Sequence, residues 1–390
     1  MAHAREHRAT PLDRMVEWAA PLHVVWRARW VEAMLAFAFV FALALSAGLG
    51  LMRAQPNWDA FAYTALVLER SGEDAAALHE RAYASVLAHS TASQRVALIR
   101  GDEYRARQAT DPTAFASMLP MYRVKSGYVT LLRTFGTDRE PYQAALFVNA
   151  ISFALIVSMS LFWLVRSGAA AASPFVLLGI LAFEPGDLVA SMSPALPTAA
   201  LVLAAFGCCA LRRPLLSVVP LALATTLRPD TVIVAFALLL AFALCGRRIL
   251  APALAFAATI IVYFVLTSGN EHIGWWAHYY FSNVDYQDTL VGFAPPVSAV
   301  DYLRGIARGG FLSLAHEVWP VVALALFCGW GVMLHSGLHA SPIATTLLLA
   351  NLLAVGGKFV AFPLPDDRIY FVFALAAMLL LAATWRPKLA

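Results

Sequence analysis

Charged residues are scarce in this sequence of 390 residues: Asp, Glu, Lys and Arg together make up 13%, and hydrophobic residues make up 61%. Soluble domains carry about 25% charged residues, so this composition excludes an ordinary soluble domain and indicates a protein that crosses a membrane several times. The net charge is only +4 and the arginines are dispersed, so no nucleic-acid-binding surface is predicted.

Cysteine and familiar catalytic motifs are also scarce. All four cysteines lie in apolar runs, where they behave as small hydrophobic residues: Cys208, Cys209, Cys245 and Cys328. There is no Walker loop, GxGxxG, GxSxG or HExxH motif. His272 and His278, with Glu271 and Asp285, match no zinc signature. No cofactor is required by the sequence, and no motif in it supports Mg²⁺ or Mn²⁺.

Long apolar runs fill most of the remaining chain. Roughly 20 apolar residues cross a bilayer, and about ten runs are candidate spans on that basis. They are 31–52, 143–165, 174–190, 195–211, 214–227, 229–245, 249–267, 312–334, 342–356 and 369–385. The predicted fold is all-α, a polytopic transmembrane bundle forming a single membrane domain over 1–390. The first run follows a polar segment, 1–30, and is interpreted as an uncleaved signal anchor.

Basic residues in the short connections predict the orientation. With about ten spans they all fall on one side, predicted to be the cytoplasm together with both termini. They are Arg27, Arg29, Arg166, Arg212, Arg213, Arg247, Arg248, Arg386 and Lys388. The polar segments 53–142 and 268–311 then face the periplasm of a bacterial inner (plasma) membrane, or the exterior. Helical spacing of apolar residues in 53–142 predicts amphipathic surface helices.

A lone aspartate, Asp59, follows the first apolar run beside Trp58, with Tyr63 one helical turn later. A carboxylate there could accept a proton from a substrate hydroxyl. Aspartate is also a preferred helix N-cap, so a catalytic base and a cap are both open interpretations.

A charged break, Leu227–Asp230, interrupts two apolar runs. Charged groups inside a membrane usually face a cavity or a partner. Arg228 could therefore bind a phosphate through paired hydrogen bonds, or it could form a structural pair with Asp230.

Other polar residues flank the spans and have similar alternatives. Arg368 and Lys358, near the last span, could bind phosphate or extend to the membrane interface. Lys125, close to Tyr122, could face a cavity or solvent. Asp187 lies in a turn that is either part of a site or a plain loop.

Four of these places resemble motifs of the GT-C superfamily of integral-membrane glycosyltransferases. They are Trp58–Tyr63, the stretch Tyr122–Lys125, the break Leu227–Asp230, and Asp366–Tyr370, which is similar to the family's Glu-Arg-Tyr motif. The resemblance covers most of the chain, although each motif is short. It implies transfer of a sugar from a polyprenyl-phosphate carrier to a hydroxyl of a lipid or glycan acceptor on the outer membrane face.

By this resemblance Asp59 is the base, and the phosphate-binding candidates are Arg228, Arg368, Lys125 and Lys358. Further candidates for substrate binding are Tyr63, Trp58, Asp187, Asp230, Tyr122 and His278. Expected partners are the polyprenyl-phosphate-sugar donor, the acceptor and membrane lipids. Two other classes stay open, namely a transporter or flippase of a lipid-linked or anionic substrate, and a non-catalytic scaffold.

Overall fold

The computed structural model describes residues 29–136, 140–270 and 272–385, with the backbone alone for Arg29. Arg27, Glu271, Arg386 and Lys388, which contributed to the predictions, lie outside the described residues.

All regular secondary structure in the described residues is helical, so the predicted all-α fold is confirmed. The α-helices in chain order are α1 (Arg29–Met52), α2 (Asp59–Leu68), α3 (Ala75–Ala88), α4 (Ala92–Arg100), α5 (Glu103–Thr110), α6 (Pro112–Arg123), α7 (Ser126–Phe135), α8 (Pro141–Arg166), α9 (Ser173–Ala182), α10 (Pro185–Ala190), α11 (Ala195–Ala210), α12 (Val218–Leu227), α13 (Val232–Leu244), α14 (Leu250–Ser268), α15 (Trp275–Asn283), α16 (Ala299–His316), α17 (Trp319–His335), α18 (Pro342–Ala361) and α19 (Asp367–Thr384). Short 3-10 helices at Ala170–Ala172, Pro214–Ser217 and Pro229–Thr231 precede α9, α12 and α13.

Five helices in the described residues are long and apolar enough to cross a membrane: α1, α8, α14, α18 and α19. A sixth span results if α16 and α17, which meet at an angle of 83°, are counted together. The expectation of about ten spans is therefore not supported. Several expected spans are apolar helices of 10–17 residues. Such helices rise only about 15–26 Å, less than the hydrocarbon core of roughly 30 Å.

The last helix, α19, lies in the centre of the bundle. Every residue from Ile369 to Ala382 is buried, and α19 packs against α8, α9, α11, α17 and α18. A helix that is apolar on all sides is expected in such an interior position. The N-terminus of α19 is thereby fixed at one end of the bundle, where Asp366 caps it by accepting a hydrogen bond from the backbone N–H of Arg368.

The helices α2 to α7 form a second core beside the bundle, which includes Phe61, Tyr83 and Phe115. Asp111 caps α6 by accepting hydrogen bonds from two backbone N–H groups, and Pro112 takes the first helical position. Residues 60–66 of α2 are all buried, so this helix is enclosed by protein and is not an amphipathic surface helix. Because the helix is enclosed, its first residue, Asp59, has a fixed position.

Candidate functional site

A cavity of about 1040 Å³ lies where α2, α6 and α7 meet the breaks between the apolar helices. Nine of the eleven residues predicted for a site line it: Trp58, Asp59, Tyr63, Tyr122, Lys125, Asp187, Arg228, His278 and Arg368. The other two, Asp230 and Lys358, pair with each other beside Arg228. The structure thus brings together residues that are up to 310 positions apart along the chain, from Trp58 to Arg368.

Asp59 is the first residue of α2, and its carboxylate reaches the cavity. The hydroxyl of Tyr122 donates a hydrogen bond to Oδ1 (2.9 Å), and Nη1 of Arg368 lies 3.8 Å from Oδ2. Burial, assisted by Asp59, raises the pKa of Tyr122, which keeps the phenol protonated as a donor. Trp58 occupies the N-cap position, and no described backbone N–H donates to the Asp59 side chain. The cap interpretation of Asp59 is therefore not supported.

The entry to α2 is fixed by polar contacts on both sides of Pro56. The side-chain amide of Gln94 donates to the carbonyl oxygen of Pro56 (2.7 Å), and Oδ1 of Asn57 accepts from the backbone N–H of Met192 (3.1 Å). These contacts hold the turn before Asp59 between α4 and the loop after α10. Because these two hydrogen bonds fix the backbone just before Asp59, they also position its carboxylate.

Lys125 lies between α6 and α7, with its ammonium over the rings of Tyr122 (4.7 Å to the centroid) and Tyr63 (5.6 Å). No carboxylate pairs with it among the described residues. Burial lowers the pKa of Lys125 to about 8, although nearby Asp59 acts in the opposite direction. A partly desolvated ammonium without a counter-ion is suited to an anionic ligand.

A close approach between α7 and α12 places Lys125 near the charged break. Gly127 of α7 lies against Thr226, and a Cβ at this position would collide with both the side chain and the backbone of Thr226. Thr226 is two residues before Arg228, so the missing side chain at Gly127 lets the two cation-bearing segments meet. This close packing is consistent with the influence of Arg228 on the pKa of Lys125.

Arg228 follows the last residue of α12, where Pro229 prevents the helix from continuing. Its Nε and Nη2 donate to the two carboxylate oxygens of Asp230 (3.3 and 3.0 Å). The structure therefore contains the predicted structural pair, and Arg228 lines the cavity as well. Nη1 has no partner among the described residues and is the nitrogen left for a ligand.

Lys358 and Asp230 do not line this cavity, and their roles in binding phosphate and substrate stay predictions. The ammonium of Lys358 donates to Oδ2 of Asp230 (2.7 Å), and the lysine side chain is only 7% exposed. Lys358 therefore does not extend to an interface either. A buried ammonium requires a counter-ion, and Asp230 is the one it finds, so both residues support Arg228 from behind.

Arg368 stands at the start of α19 and is held by Asp366 through Nε (3.0 and 3.1 Å) and Nη2 (2.8 Å). Its Nη1 is directed toward Asp59. The next acid, Asp367, accepts hydrogen bonds from the backbone N–H groups of Val318 and Trp319 (2.8–3.0 Å). The acidic pair before Arg368 thus anchors two helix starts, α17 and α19, at the edge of the cavity.

The remaining predicted residues form other parts of the wall. Asp187 lies in the first turn of α10, one turn after Glu184, whose φ of 49° is in the left-handed region. His278 contacts the rings of His272 and Phe362. Burial, with a smaller contribution from Lys125, lowers the pKa of His278 to about 3, so its imidazole is neutral. His278 can therefore offer a hydrogen bond or an aromatic face, but not a charge.

Several ionisable residues of the wall were not predicted as site residues, among them Arg53, Arg308, His316 and Glu317. Arg308 and His316 lie on α16, whose residues fall partly in the predicted outer segment 268–311 and partly in the predicted span 312–334, and the sequence gives no sign that α16 bends sharply into α17. Glu317 at that bend accepts a hydrogen bond from the backbone N–H of Asp367 (2.8 Å). No group of three or more His, Cys, Asp or Glu residues suited to a metal ion occurs within the described ranges.

Comparison with known proteins does not assign the chain to a family. No family model matches the chain, and no curated protein or solved structure is similar to it. The cavity itself therefore carries the functional argument. Among the charged groups of its wall, the Asp59 carboxylate lies around a common space with the guanidinium groups of Arg228 and Arg368 and the unpaired ammonium of Lys125. This combination is suited to an anionic substrate that reacts with a hydroxyl group.

Proposed function

We propose that the protein is a membrane glycosyltransferase of the GT-C type, which moves a sugar from a polyprenyl-phosphate carrier to a hydroxyl of a lipid or glycan acceptor. One observation carries this proposal. Asp59 and three cations, Lys125, Arg228 and Arg368, come from four separate segments and line the same cavity at one end of an apolar helical bundle.

The three cations are the groups proposed to hold the donor phosphate. Arginine binds phosphate oxygens through its fixed N–H groups, and a lysine adds a mobile charge. When the bond between the anomeric carbon and the phosphate oxygen breaks, the electron pair goes to the carrier phosphate. Cations that are already in place stabilise that developing charge, which is the main electrostatic contribution expected of such a site.

Asp59 is the proposed base. The acceptor hydroxyl forms the new bond to the anomeric carbon, and its proton passes to the Asp59 carboxylate. Tyr122 donates to Oδ1 and fixes the orientation of the carboxylate, so that Oδ2 is the oxygen left to take the proton. Nη1 of Arg368 lies 3.8 Å from Oδ2, so a cation stands beside the oxygen that faces the reacting groups.

An apolar groove beside the cavity supports a lipid-linked donor. It has a volume of about 90 Å³ and is lined by residues of α17, α18 and α19, including Trp319 and Tyr370. The two rings stack with centroids 4.0 Å apart. Trp319 directly follows Val318, which lines the cavity, so the groove could take the part of an isoprenoid chain nearest to the phosphate.

The proposal is tested by measuring transfer of labelled sugar from a panel of polyprenyl-phosphate donors with the purified full chain. Asp59→Asn should lose transfer by at least about a hundredfold, the lower range for a general base, while donor binding is kept. Asp74→Asn is the matched control, because Asp74 is exposed and does not line the cavity. Unchanged transfer by Asp59→Asn would refute the base assignment. Movement of a lipid-linked substrate across vesicles, without transfer by the wild type, would favour the transporter instead.

A further inference from the structure

A second cavity, of about 740 Å³, lies at the other end of the bundle. It is bounded by the last turns of α8 and α11, the start of α18 and the end of α19. Helix α19 begins at the candidate site with Asp367 and ends at this cavity with Thr384. Its 18 residues rise about 27 Å. The two cavities are thus separated by roughly the thickness of a hydrocarbon core.

The wall of this second cavity combines an apolar interior with cations. Its apolar residues include Met159, Phe162, Leu203, Leu347 and Leu380. Arg166, Arg212 and His339 supply the ionisable groups, and no Asp or Glu lines the cavity in the described part of the chain. Neither Arg166 nor Arg212 forms an ion pair with a described residue, whereas Arg228 and Arg368 of the first cavity each pair with a carboxylate.

Arg212 has a backbone conformation that its side chain disfavours. Its φ is 60°, in the left-handed region that residues with a Cβ rarely adopt. In the described part of the chain, glycine has this conformation two residues after the ends of three other helices: Gly168 after α8 (φ 68°), Gly246 after α13 (φ 62°) and Gly337 after α17 (φ 73°). Glycine is the usual residue after a helix C-terminus for this reason. An arginine kept in such a strained position indicates a use for its side chain.

We propose that this cavity binds an anionic glycerophospholipid. The guanidinium groups of Arg212 and Arg166 hold the phosphodiester, and the apolar walls take an acyl chain. Basic pockets between membrane helices have the chemistry needed for anionic headgroups. Apolar walls favour a lipid over free phosphate, because a soluble anion would leave the deeper part of the cavity without a suitable occupant.

The test uses thermal unfolding of the purified full chain in a neutral detergent, titrated with phosphatidylglycerol, phosphatidylcholine or inorganic phosphate. Only phosphatidylglycerol should raise the Tm, because ligands that bind the native state stabilise it. Arg212→Gly should unfold no lower than the wild type without lipid, since glycine relieves the strained φ. It should also bind phosphatidylglycerol at least about tenfold more weakly, through loss of charge-assisted hydrogen bonds.

Arg248→Gln is the matched control, because Arg248 is exposed, follows Arg247, which donates to Thr346 of α18, and does not line the cavity. Arg166→Gln provides a second cavity variant if Arg212→Gly folds poorly, and it should lose affinity in the same way. An equal Tm increase with phosphatidylcholine or inorganic phosphate would overturn the proposal. Undiminished phosphatidylglycerol binding by both cavity variants would also overturn it.

Discussion

The buried pair behind the first cavity gives a prediction whose sign depends on which partner is removed. Lys358 donates to Asp230 (2.7 Å), and Arg228 donates to the same carboxylate (3.0 and 3.3 Å). One carboxylate therefore balances two cations. Removing the Asp230 carboxylate leaves both Lys358 and Arg228 without a counter-ion. Removing Lys358 leaves the pair of Arg228 and Asp230 intact.

The magnitudes follow from that asymmetry. Asp230→Asn should lower the free energy of unfolding by about 3–5 kcal/mol, the usual cost of leaving a buried charge unpaired. The lower end is expected, because the Asp230 side chain is 35% exposed. Lys358→Met removes one charged hydrogen bond and should lower it by only about 1.5–3 kcal/mol. The double variant should be about 1–2 kcal/mol more stable than Asp230→Asn alone, since the unpaired ammonium is then absent.

Thermal and denaturant unfolding of the purified full chain measures these differences, and donor KM measures the effect on Arg228. Asp230→Asn should raise the donor KM more than Lys358→Met does, because it frees the guanidinium of Arg228 from its only described carboxylate. Equal stability of the two single variants, or a double variant less stable than Asp230→Asn, would refute the shared counter-ion.

Three further predictions concern the cavity wall. Tyr122→Phe should lower kcat about tenfold with little change in stability, because it removes the hydrogen bond to Asp59, and an unchanged kcat would contradict the orienting role. Gly127→Ala should lower the free energy of unfolding by about 1–3 kcal/mol through collision with α12. Gly356→Ala is its control, since a Cβ there meets nothing within 4 Å. Donor affinity should be constant below pH 7 and fall as Lys125 loses its proton through its pKa of about 8. Lys125→Arg should remove that fall, and a fall that persists would point to another group.

The composition of the cavity wall could be predicted because polar residues stand out in an apolar chain. Asp59, Arg228 and Arg368 each interrupt or flank an apolar run, and a buried charge needs a partner or a cavity. Together with the resemblance to GT-C motifs, this predicts that the three residues belong to one site. The pair of Arg228 and Asp230 was an open interpretation of the sequence, but the pairing of Lys358 with Asp230 was not predicted, since these residues are 128 positions apart and only tertiary packing brings them together.

The number of spans could not be predicted by the same reasoning. Hydropathy measures how apolar a run is, and the interior of the bundle is as apolar as the lipid around it. Short helices such as α12, with 10 residues, therefore resemble spans in the sequence although they are too short to cross alone. The predicted orientation depended on that count, so the side of the membrane that the cavity faces remains a prediction.

Arg228 and Arg368 of the first cavity share an arrangement that gives them a common role. Each forms paired hydrogen bonds through Nε and Nη2 with a carboxylate two residues away, Arg228 with Asp230 and Arg368 with Asp366. Both guanidinium planes are therefore held before a ligand arrives, with Nη1 of Arg228 left for a ligand and Nη1 of Arg368 facing Asp59. A group fixed in advance loses little conformational freedom on binding, which favours affinity for a phosphate. Lys125 has no such partner, so it is the cation expected to move when the phosphate enters and leaves.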